Sequence, residues 1–295
     1  MQDARALSRP QAAPAFLSPR AGAMRRLLRH RGAVAGMAVL VVLAAIALLA
    51  PWLSPRDPIK TAPRDALQPP GQRYYLGSDQ YGRDMLSRVV HGARTSLTVG
   101  FISVSIAVAL GAPVGLASGY YAGRLDTMLM RVIDVLLAFP GILLALGIVS
   151  VLGPSLGNVM IAVGMSAVPT YARLIRASVL SAKENLYVEA ARAVGCRDLL
   201  VVARHILPNV VAPVIITATL GMGGAILSAA ALSFLGLGSQ PPQAEWGRML
   251  SDGRDYLREA WWISTFPGVA IMMTVLAMNL LGDGLRDVLD PRLRV

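Results

Sequence analysis

The sequence has few of the residues from which covalent cross-links, metal sites and soluble surfaces are built. Its 295 residues contain a single cysteine, Cys196, which excludes an intramolecular disulfide and a cysteine-based zinc site. The three histidines, His30, His91 and His205, are far apart in the sequence, so we expect no histidine cluster. Charged residues make up 15% of the chain, against about a quarter in a typical soluble domain. With 55% hydrophobic residues and a mean hydropathy of +0.55, the chain is expected to be a membrane protein.

Lysine is also scarce, although the chain is strongly basic. The 28 basic residues include only two lysines, Lys60 and Lys183, and the formal net charge is +11. Such an excess would suit nucleic acid, but the arginines are scattered near the ends of apolar segments and form no stripe along one face. Arginines at such places anchor helix ends in the headgroup region and orient a chain in the membrane. We therefore expect membrane lipid, and no nucleic acid, as the partner of these charges.

Catalytic motifs are absent as well. The sequence has no HExxH and no pairing of a nucleophilic cysteine with a histidine. An ATP-binding P-loop needs Gly-Lys-Ser/Thr, and neither lysine follows a glycine. These absences weigh against an intramembrane enzyme and against ATP hydrolysis by this chain. If the process is ATP-driven, the ATPase is another chain, and we expect no catalytic residue, metal site or cofactor here.

Long apolar segments are abundant. A helix needs about 20 apolar residues to cross the hydrocarbon core. Six segments qualify and predict an all-α polytopic membrane protein: residues 33–52, 96–119, 129–152, 157–175, 209–236 and 263–282. The first segment could instead be a signal peptide, because Ala45-Ile46-Ala47 resembles a cleavage site, but its length and its long charged lead favour a spanning helix. The other five each contain a proline, which favours kinked helices in a moving bundle over a passive anchor: Pro113, Pro140, Pro169, Pro213 and Pro267.

The basic residues predict the orientation of this bundle. With six spans both termini lie on one side, which carries 18 lysine and arginine residues against 10 on the other. Loops rich in these residues stay in the cytoplasm. The expected organisation is a cytoplasmic tail, a first span, an external loop, a core of five spans and a cytoplasmic C-terminus, over residues 1–32, 33–52, 53–95, 96–283 and 284–295.

The external loop changes character along its length. After a proline-rich connector, apolar residues within 76–97 share one helical stripe. This pattern predicts an amphipathic helix lying on the membrane before the second span, with Asp84 and Arg88 paired on a solvated face. The alternative is a contact surface for an external protein, with Asp79, Arg83 and Asp84 as candidates. Trp246 of the second external loop is a further candidate, for which a structural anchor is the simpler interpretation.

Few polar residues lie within the predicted spans. Asp134 lies about one turn into the third span, where it could line a path or pair with Arg131 near the membrane surface. An ion-driven transporter would need carboxylates near mid-membrane, and Asp134 lies near an end. Other polar side chains could face a cavity or bond between helices. The candidates for a translocation path are Asp134, Pro140, Asn158, Ser166 and Ser233.

The polar stretch 184–208 predicts a helix–turn–helix between two spans. Helix formers continue up to Gly195, which supplies a stop. Asp198 can cap a short helix over Leu199–His205, and Pro208 opens the next span. The second half of this stretch is too apolar for a free loop, so protein is expected to cover part of it. The residues alone leave open whether the bundle or a docked partner does so.

The spacing of this stretch resembles the signature loop of permeases from ABC-type importers. In that loop a Glu-Ala-Ala triplet is followed by three residues, a glycine and later an Ile/Leu-Pro ending, here Glu189, Ala190, Ala191, Gly195, Ile206, Leu207 and Pro208. The isoleucine lies one residue later than in the family pattern, where His205 stands. Further stretches are similar to the C-type subunit of the dipeptide, oligopeptide and nickel permeases: LGSDQYGRDMLSR (76–88), DVLLAFPGILLAL (134–146), ALSFLGLGSQPP (231–242) and NLLGDGLRDVLDPRLR (279–294).

The resemblance implies both a fold and a set of partners. The fold is that of a type I ABC importer permease, with six spans in the bacterial inner membrane and a coupling helix within 176–208. Two ATPase subunits, which hold ATP and Mg, would dock there, and a homologous permease and an external substrate-binding protein would complete the assembly. The coupling residues would be those of the motif together with Asp198. Peptide cargo is implied, with nickel or another small solute as the alternative inside the family and an ion-coupled transporter outside it.

Overall fold

The computed structural model describes residues 24–289, and this part of the chain is helical apart from its connections. The one β-bridge in this range joins Ser78 to Asp84. Of the tail predicted over 1–32 and the C-terminus predicted over 284–295, residues 1–23 and 290–295 lie outside the described residues. An all-α membrane fold is therefore confirmed for the part of the chain between them.

The helices follow one another along the chain with short connections, except for the long segments 54–84 and 235–245. Their bounds are α1 Arg31–Leu48, α2 Ala50–Leu53, α3 Met85–Tyr121, α4 Gly123–Leu137, α5 Gly141–Leu152, α6 Leu156–Lys183, α7 Leu186–Ala193, α8 Asp198–Val201, α9 Leu207–Phe234, α10 Trp246–Gly253 and α11 Trp262–Leu289. A π-helical turn, Val202–Ile206, joins α8 to α9 without a break, and 3-10 turns lie at Pro63–Asp65 and Arg254–Tyr256.

Five helices in the described range are long and apolar enough to cross a membrane by themselves, namely α1, α3, α6, α11 and the run from α8 to α9. The predicted third span, 129–152, is different, because it consists of α4 and α5 joined at a bend of 89°. Pro140 lies at this bend, and the residue before a proline is biased away from helical conformation. The other four prolines of the predicted spans stay inside unbroken helices.

The amphipathic helix predicted before the second span is not a separate element. Residues 85–97 are the first turns of α3, which continues for 37 residues. At a rise of 1.5 Å per residue this helix is about 55 Å long, well beyond the roughly 30 Å of a hydrocarbon core. Asp84 begins it as an N-cap whose carboxylate accepts from the Ser87 amide at 2.8 Å. The predicted amphipathic segment is therefore the start of the spanning helix α3 and not a separate helix.

The central contact of the bundle is the packing of α3 against α6. Three glycines at intervals of four residues, Gly111, Gly115 and Gly119, lie on the face of α3 that meets α6. A Cβ atom built on Gly115 would lie 2.5 Å from the carbonyl oxygen of Ala172. From the other side, Gly164 of α6 leaves the same kind of space beside the Ser103 carbonyl, at 2.8 Å. Small residues thus let the two backbones touch, as in other membrane helix pairs.

A buried cluster of ion pairs, here called the clamp, joins the connection 54–84 to α3 and to α10 at one end of the bundle. It consists of Asp79, Arg83, Arg88 and Asp252. The Arg83 Nε lies 2.6 Å from Asp79 Oδ2, the Arg88 Nε lies 3.5 Å from the same oxygen, and Arg83 Nη2 lies 4.0 Å from Asp252 Oδ2. Asp79, Arg83 and Arg88 are each at most 4% exposed. The predicted pairing of Asp84 with Arg88 on a solvated face is therefore wrong, because the connections cover this face and Asp79 supplies the counter-charge.

A tryptophan makes a second link at the clamp end. Trp246, the first residue of α10, donates from its indole Nε1 to the carbonyl of Val89 at 2.9 Å. Its ring occupies the space left by Gly92, where a Cβ atom would lie 2.7 Å from the ring. Glu245 caps α10 by accepting from the amides of Gly247 and Arg248 at 2.7 and 2.8 Å, and burial raises the pKa of its carboxyl. The first turns of α3 are thus held from both connections.

Replacing Gly115 by alanine is expected to destabilise the protein by about 1–3 kcal/mol, the range typical of overpacking. The added methyl group would overlap the Ala172 carbonyl oxygen, which is backbone and cannot rotate away. Thermal unfolding of the purified protein in detergent measures the effect. Gly147→Ala is the matched control, because nothing lies within 4 Å of a Cβ atom at that helical position. Equal melting temperatures for the two variants would contradict the packing described above.

Removing the shared carboxylate of the clamp with Asp79→Ala is expected to cost about 3–5 kcal/mol, because two buried guanidinium groups would lose their nearest counter-charge. The same unfolding measurement tests this. Asp255→Ala is the control, since it removes the carboxylate of an ion pair with Arg254 whose side chains are 74% and 62% exposed. Such pairs contribute little. A loss at Asp79 no larger than the loss at Asp255 would show that the clamp does not hold this end together.

Candidate functional site

The segment 184–206 lies at the end of the bundle opposite the clamp, between α6 and α9. Helix α7 ends in a Schellman motif, in which the Gly195 amide donates to the Arg192 carbonyl at 2.9 Å and the Cys196 amide donates to the Ala191 carbonyl at 3.1 Å. Gly195 has a φ of +81°, a conformation that glycine adopts without strain. The expectation that Gly195 ends a helix and forms the turn is confirmed.

Three details of the predicted helix–turn–helix are wrong. The first helix does not run unbroken to Gly195, because α6 ends at Lys183 and α7 begins at Leu186. The second helix is α-helical only over Asp198–Val201 and then becomes the π turn that leads into α9. Asp198 does not cap it, because the carboxylate accepts a hydrogen bond from the Tyr120 hydroxyl at 2.6 Å. This partner lies 78 residues away, so the local pattern gave no sign of it.

One face of the segment is packed against the bundle. Its buried apolar residues pack with the last turns of α3 and α6 and the start of α9, in a cluster formed by Tyr120, Ile175, Val179, Ala182, Val188, Ala191, Val201, Ile206 and Val210. Two motif residues, Ala191 and Ile206, belong to this face. Leu207 and Pro208 are the first residues of α9, directly after the π turn.

The other face of the segment is exposed and largely apolar. Leu186, Val194 and Leu199 are 81%, 79% and 81% exposed, and the motif residues Glu189 and Ala190 lie on the same open side. These five residues are called the exposed patch below. Within residues 24–289 no ion pair of Glu189 is found. Contiguous apolar surface of this kind, rimmed by charge, is typical of a protein–protein contact. The sequence left open whether the bundle or a docked partner covers this segment. The bundle covers one face, and the other face is exposed.

A cavity of about 290 Å³ lies in the bundle between α3, α6 and α9. Its polar lining consists of hydroxyl groups: Ser103, Ser166, Thr170, Tyr171, Thr217 and Ser228. Ser103 and Ser166 already donate to backbone carbonyls, at 3.1 and 2.9 Å. The side chains of Thr170, Thr217 and Ser228 make no hydrogen bond within the described part of the chain. Three hydroxyls are therefore available to a solute, and among the predicted path residues Ser166 lines this cavity.

The other four predicted path residues lie elsewhere. Asp134 forms an ion pair with Arg173 of α6, not with Arg131, and its side chain is 59% exposed. Pro140 lies at the break between α4 and α5. The amide of Asn158 donates to the carbonyls of Leu152 and Gly153 at 2.8 and 2.9 Å, which ties the end of α5 to α6. Ser233 is buried near the clamp end of α9.

The predicted contact residues for an external protein are internal. Asp79, Arg83 and Asp84 are at most 4% exposed, and Trp246 is 1% exposed. They form or adjoin the clamp, so they shape the surface without presenting their own side chains on it. A pocket of about 420 Å³ lies at this end, and its lining includes Asp84 together with Arg56, Asp57 and Lys60. The proline-rich sequence around these residues gave no sign of a pocket.

The structure also bears on metal binding and on His205. Within the described range no three His, Cys, Asp or Glu side chains are grouped so that they could hold a metal ion. His205, the position that departs from the family pattern, stacks on Tyr187 with ring centroids 6.4 Å apart. Asn209 donates to both the Tyr187 hydroxyl and the His205 carbonyl, at 2.9 and 2.8 Å. His205 therefore holds α7 beside the π turn.

Comparison with known proteins assigns the family. Residues 111–295 match the family described as "Binding-protein-dependent transport system inner membrane component", and residues 18–70 match the "N-terminal TM domain of oligopeptide transport permease C". A peptide transport system permease protein of Brucella abortus is 49% identical over 92% of this chain and 91% of its own. The dipeptide transport system permease protein DppC of Alkalihalophilus pseudofirmus is 45% identical over 94% of this chain and 91% of its own.

A solved structure supports the fold independently. The structure titled as an inward-facing conformation of the MetNI methionine ABC transporter contains a chain similar to this one, with a TM-score of 0.59 at 18% identity, over 69% of this chain and 97% of that chain. At this identity the likeness concerns the fold alone. It establishes the architecture of an ABC importer permease, as the signature loop implied. The chain therefore belongs to the family of binding-protein-dependent transport system inner membrane components, as a C-type permease of the dipeptide and oligopeptide group.

Proposed function

We propose that this chain forms half of the translocation path of an ATP-driven importer for di- or oligopeptides. The observation that carries the proposal is the exposed patch, an uncovered apolar surface on a segment that is packed firmly against α3, α6 and α9. Such a segment can receive a partner on one face and pass its movement to the bundle through the other. We infer peptide as the cargo because the relatives in Brucella abortus and Alkalihalophilus pseudofirmus are named as peptide and dipeptide transport system permease proteins.

The partner on the exposed patch is an ABC ATPase subunit that binds ATP and Mg. A second ATPase subunit serves a homologous permease, which completes the path. ATP-driven closure of the ATPase pair then favours one arrangement of the bundle over another. A shift from 1:99 to 99:1 requires about 5.5 kcal/mol of differential binding, and the docked patch is where this energy enters the permease.

The orientation follows from the patch and the charges together. The end that carries the segment 184–206 faces the cytoplasm of a bacterial cell, because the ATPase subunits and the larger number of basic residues lie on that side. Both termini are then cytoplasmic, and the chain spans the inner membrane. The clamp end faces outward, where a substrate-binding protein delivers the cargo.

The hydroxyl-lined cavity suits a peptide as the solute. Peptide groups offer donors and acceptors in a regular pattern, and hydroxyl groups can serve as either. The cavity lining has no charged side chain, so a particular side-chain charge on the cargo is not selected there. Selection among peptides is accordingly left to the binding protein.

Reversing the charge of the exposed patch with Glu189→Arg is expected to lower peptide uptake at least several-fold without loss of membrane insertion. The reason is that Glu189 has no internal ion pair among the described residues, so its carboxylate is available to a basic residue of the ATPase. Uptake of a labelled dipeptide into proteoliposomes that contain the whole complex is the measurement. Asp283→Arg is the control, since it reverses an exposed acid on α11. Wild-type uptake by Glu189→Arg, or uptake that needs no ATPase, would contradict the proposal.

Obstructing the cavity with Gly224→Leu is expected to reduce uptake strongly while leaving assembly and basal ATP hydrolysis intact. Gly224 lines the cavity, and no atom lies within 4 Å of a Cβ atom there, so the larger side chain meets open space. Gly147→Leu is the matched control, because it also projects into open space but does not line the cavity. If Gly224→Leu transports like the wild type, this cavity is not on the path.

A further inference from the structure

Tyr120 occupies a particular place in the fold. It is the penultimate residue of α3, its side chain is buried, and it contacts the segment 184–206 from several directions. Its hydroxyl donates to Asp198 Oδ1 at 2.6 Å, and its carbonyl accepts from Lys183 Nζ at 2.6 Å. The guanidinium group of Arg192 lies over its ring, 4.8 Å from the centroid. One residue of α3 therefore connects to the end of α6, to α7 and to the start of α8.

These contacts lie where the segment could otherwise bend. The chain leaves regular helix between α6 and α7, around Asn185, and it turns again at Gly195, the joint between α7 and α8. Lys183 precedes the first of these two places, and Arg192 and Asp198 flank the second. Contacts to a single residue, through its carbonyl at the first place and through its side chain at the second, restrict bending at each of them.

The opposite end of α3 is held just as firmly. Arg88 belongs to the clamp, and the carbonyl of Val89 accepts from the Trp246 indole. Between these residues and Tyr120 the helix is unbroken, including at Pro113. The structure thus offers one continuous connection from the segment 184–206 to the clamp end.

We propose that Tyr120 is a positioning residue that fixes the segment 184–206 to α3, so that a displacement of the exposed patch moves α3 and, through it, the clamp end. This inference rests on the proposed docking of an ATPase at the exposed patch. Without the hydroxyl contact to Asp198, the segment bends at Gly195 and absorbs part of the displacement. ATP is then hydrolysed with less transport.

The test uses the whole complex in proteoliposomes: this permease, its partner permease, both ATPase subunits and the binding protein loaded with a dipeptide. Tyr120→Phe removes the hydroxyl and keeps the ring that packs in the apolar cluster and meets Arg192. The expected result is normal assembly and normal basal ATP hydrolysis, with a several-fold drop in dipeptide taken up per ATP hydrolysed. Tyr121→Phe is the matched control, because the neighbouring tyrosine is 61% exposed, and we expect no change from it.

Asp198 supplies a second measurement. Asp198→Ala is expected to lower the uptake per ATP by the same factor as Tyr120→Phe, and the double variant should be no worse than either single variant, since both remove one contact. Asp198→Asn keeps an acceptor oxygen and should retain more coupling than Asp198→Ala.

Three results would overturn the proposal: wild-type uptake per ATP in Tyr120→Phe, additive losses in the double variant, or a loss of assembly that accompanies the loss of uptake. A failure of the docking itself is recognised separately. In that case Glu189→Arg would transport normally, whatever the behaviour of the Tyr120 variants.

Discussion

The close contact between α3 and α6 is the constraint on which the other features of this permease depend. Glycines on α3 let the two backbones touch. The last turns of α3 and α6 therefore lie side by side. Because α6 leads into the segment 184–206, the same contact brings Tyr120, at the end of α3, against Asp198. The two helices also form two walls of the hydroxyl-lined cavity, which α9 closes. The hydroxyl-lined cavity and the attachment of the segment 184–206 to α3 therefore both depend on this one helix pair.

The two ends of α3 are secured by different chemistry. At the clamp end, buried guanidinium groups share the carboxylate of Asp79, an arrangement that tolerates little change because an unpaired buried charge is costly. At the other end the contacts combine an apolar cluster with a few hydrogen bonds around Tyr120, and the outer face of the segment stays open. A buried clamp and a partly open segment, joined by one unbroken helix, suit the ATP-driven permease proposed above.

Much of this arrangement could be predicted from the sequence, and the limits are physical. Apolar length located the spans, and the requirement for positive φ located the turn at Gly195. The partners of the charged groups could not be predicted, because local spacing suggested Arg131 for Asp134 and Asp84 for Arg88, whereas the folded chain supplies Arg173 and Asp79. The same reason hid part of the burial of the first turns of α3, since Trp246 and Asp252, which lie against them, are distant in sequence.

The central claim is that α3 and the segment 184–206 move as one body when nucleotide binds. Pulsed electron-spin distance measurement tests it directly, with spin labels at Thr98→Cys and Ala193→Cys, two exposed positions, in a Cys196→Ser background. The account predicts that the distance between the labels is the same in the nucleotide-free complex and in the ATP-bound complex. A clear change of this distance on ATP binding would contradict it, because the segment would then be moving relative to α3.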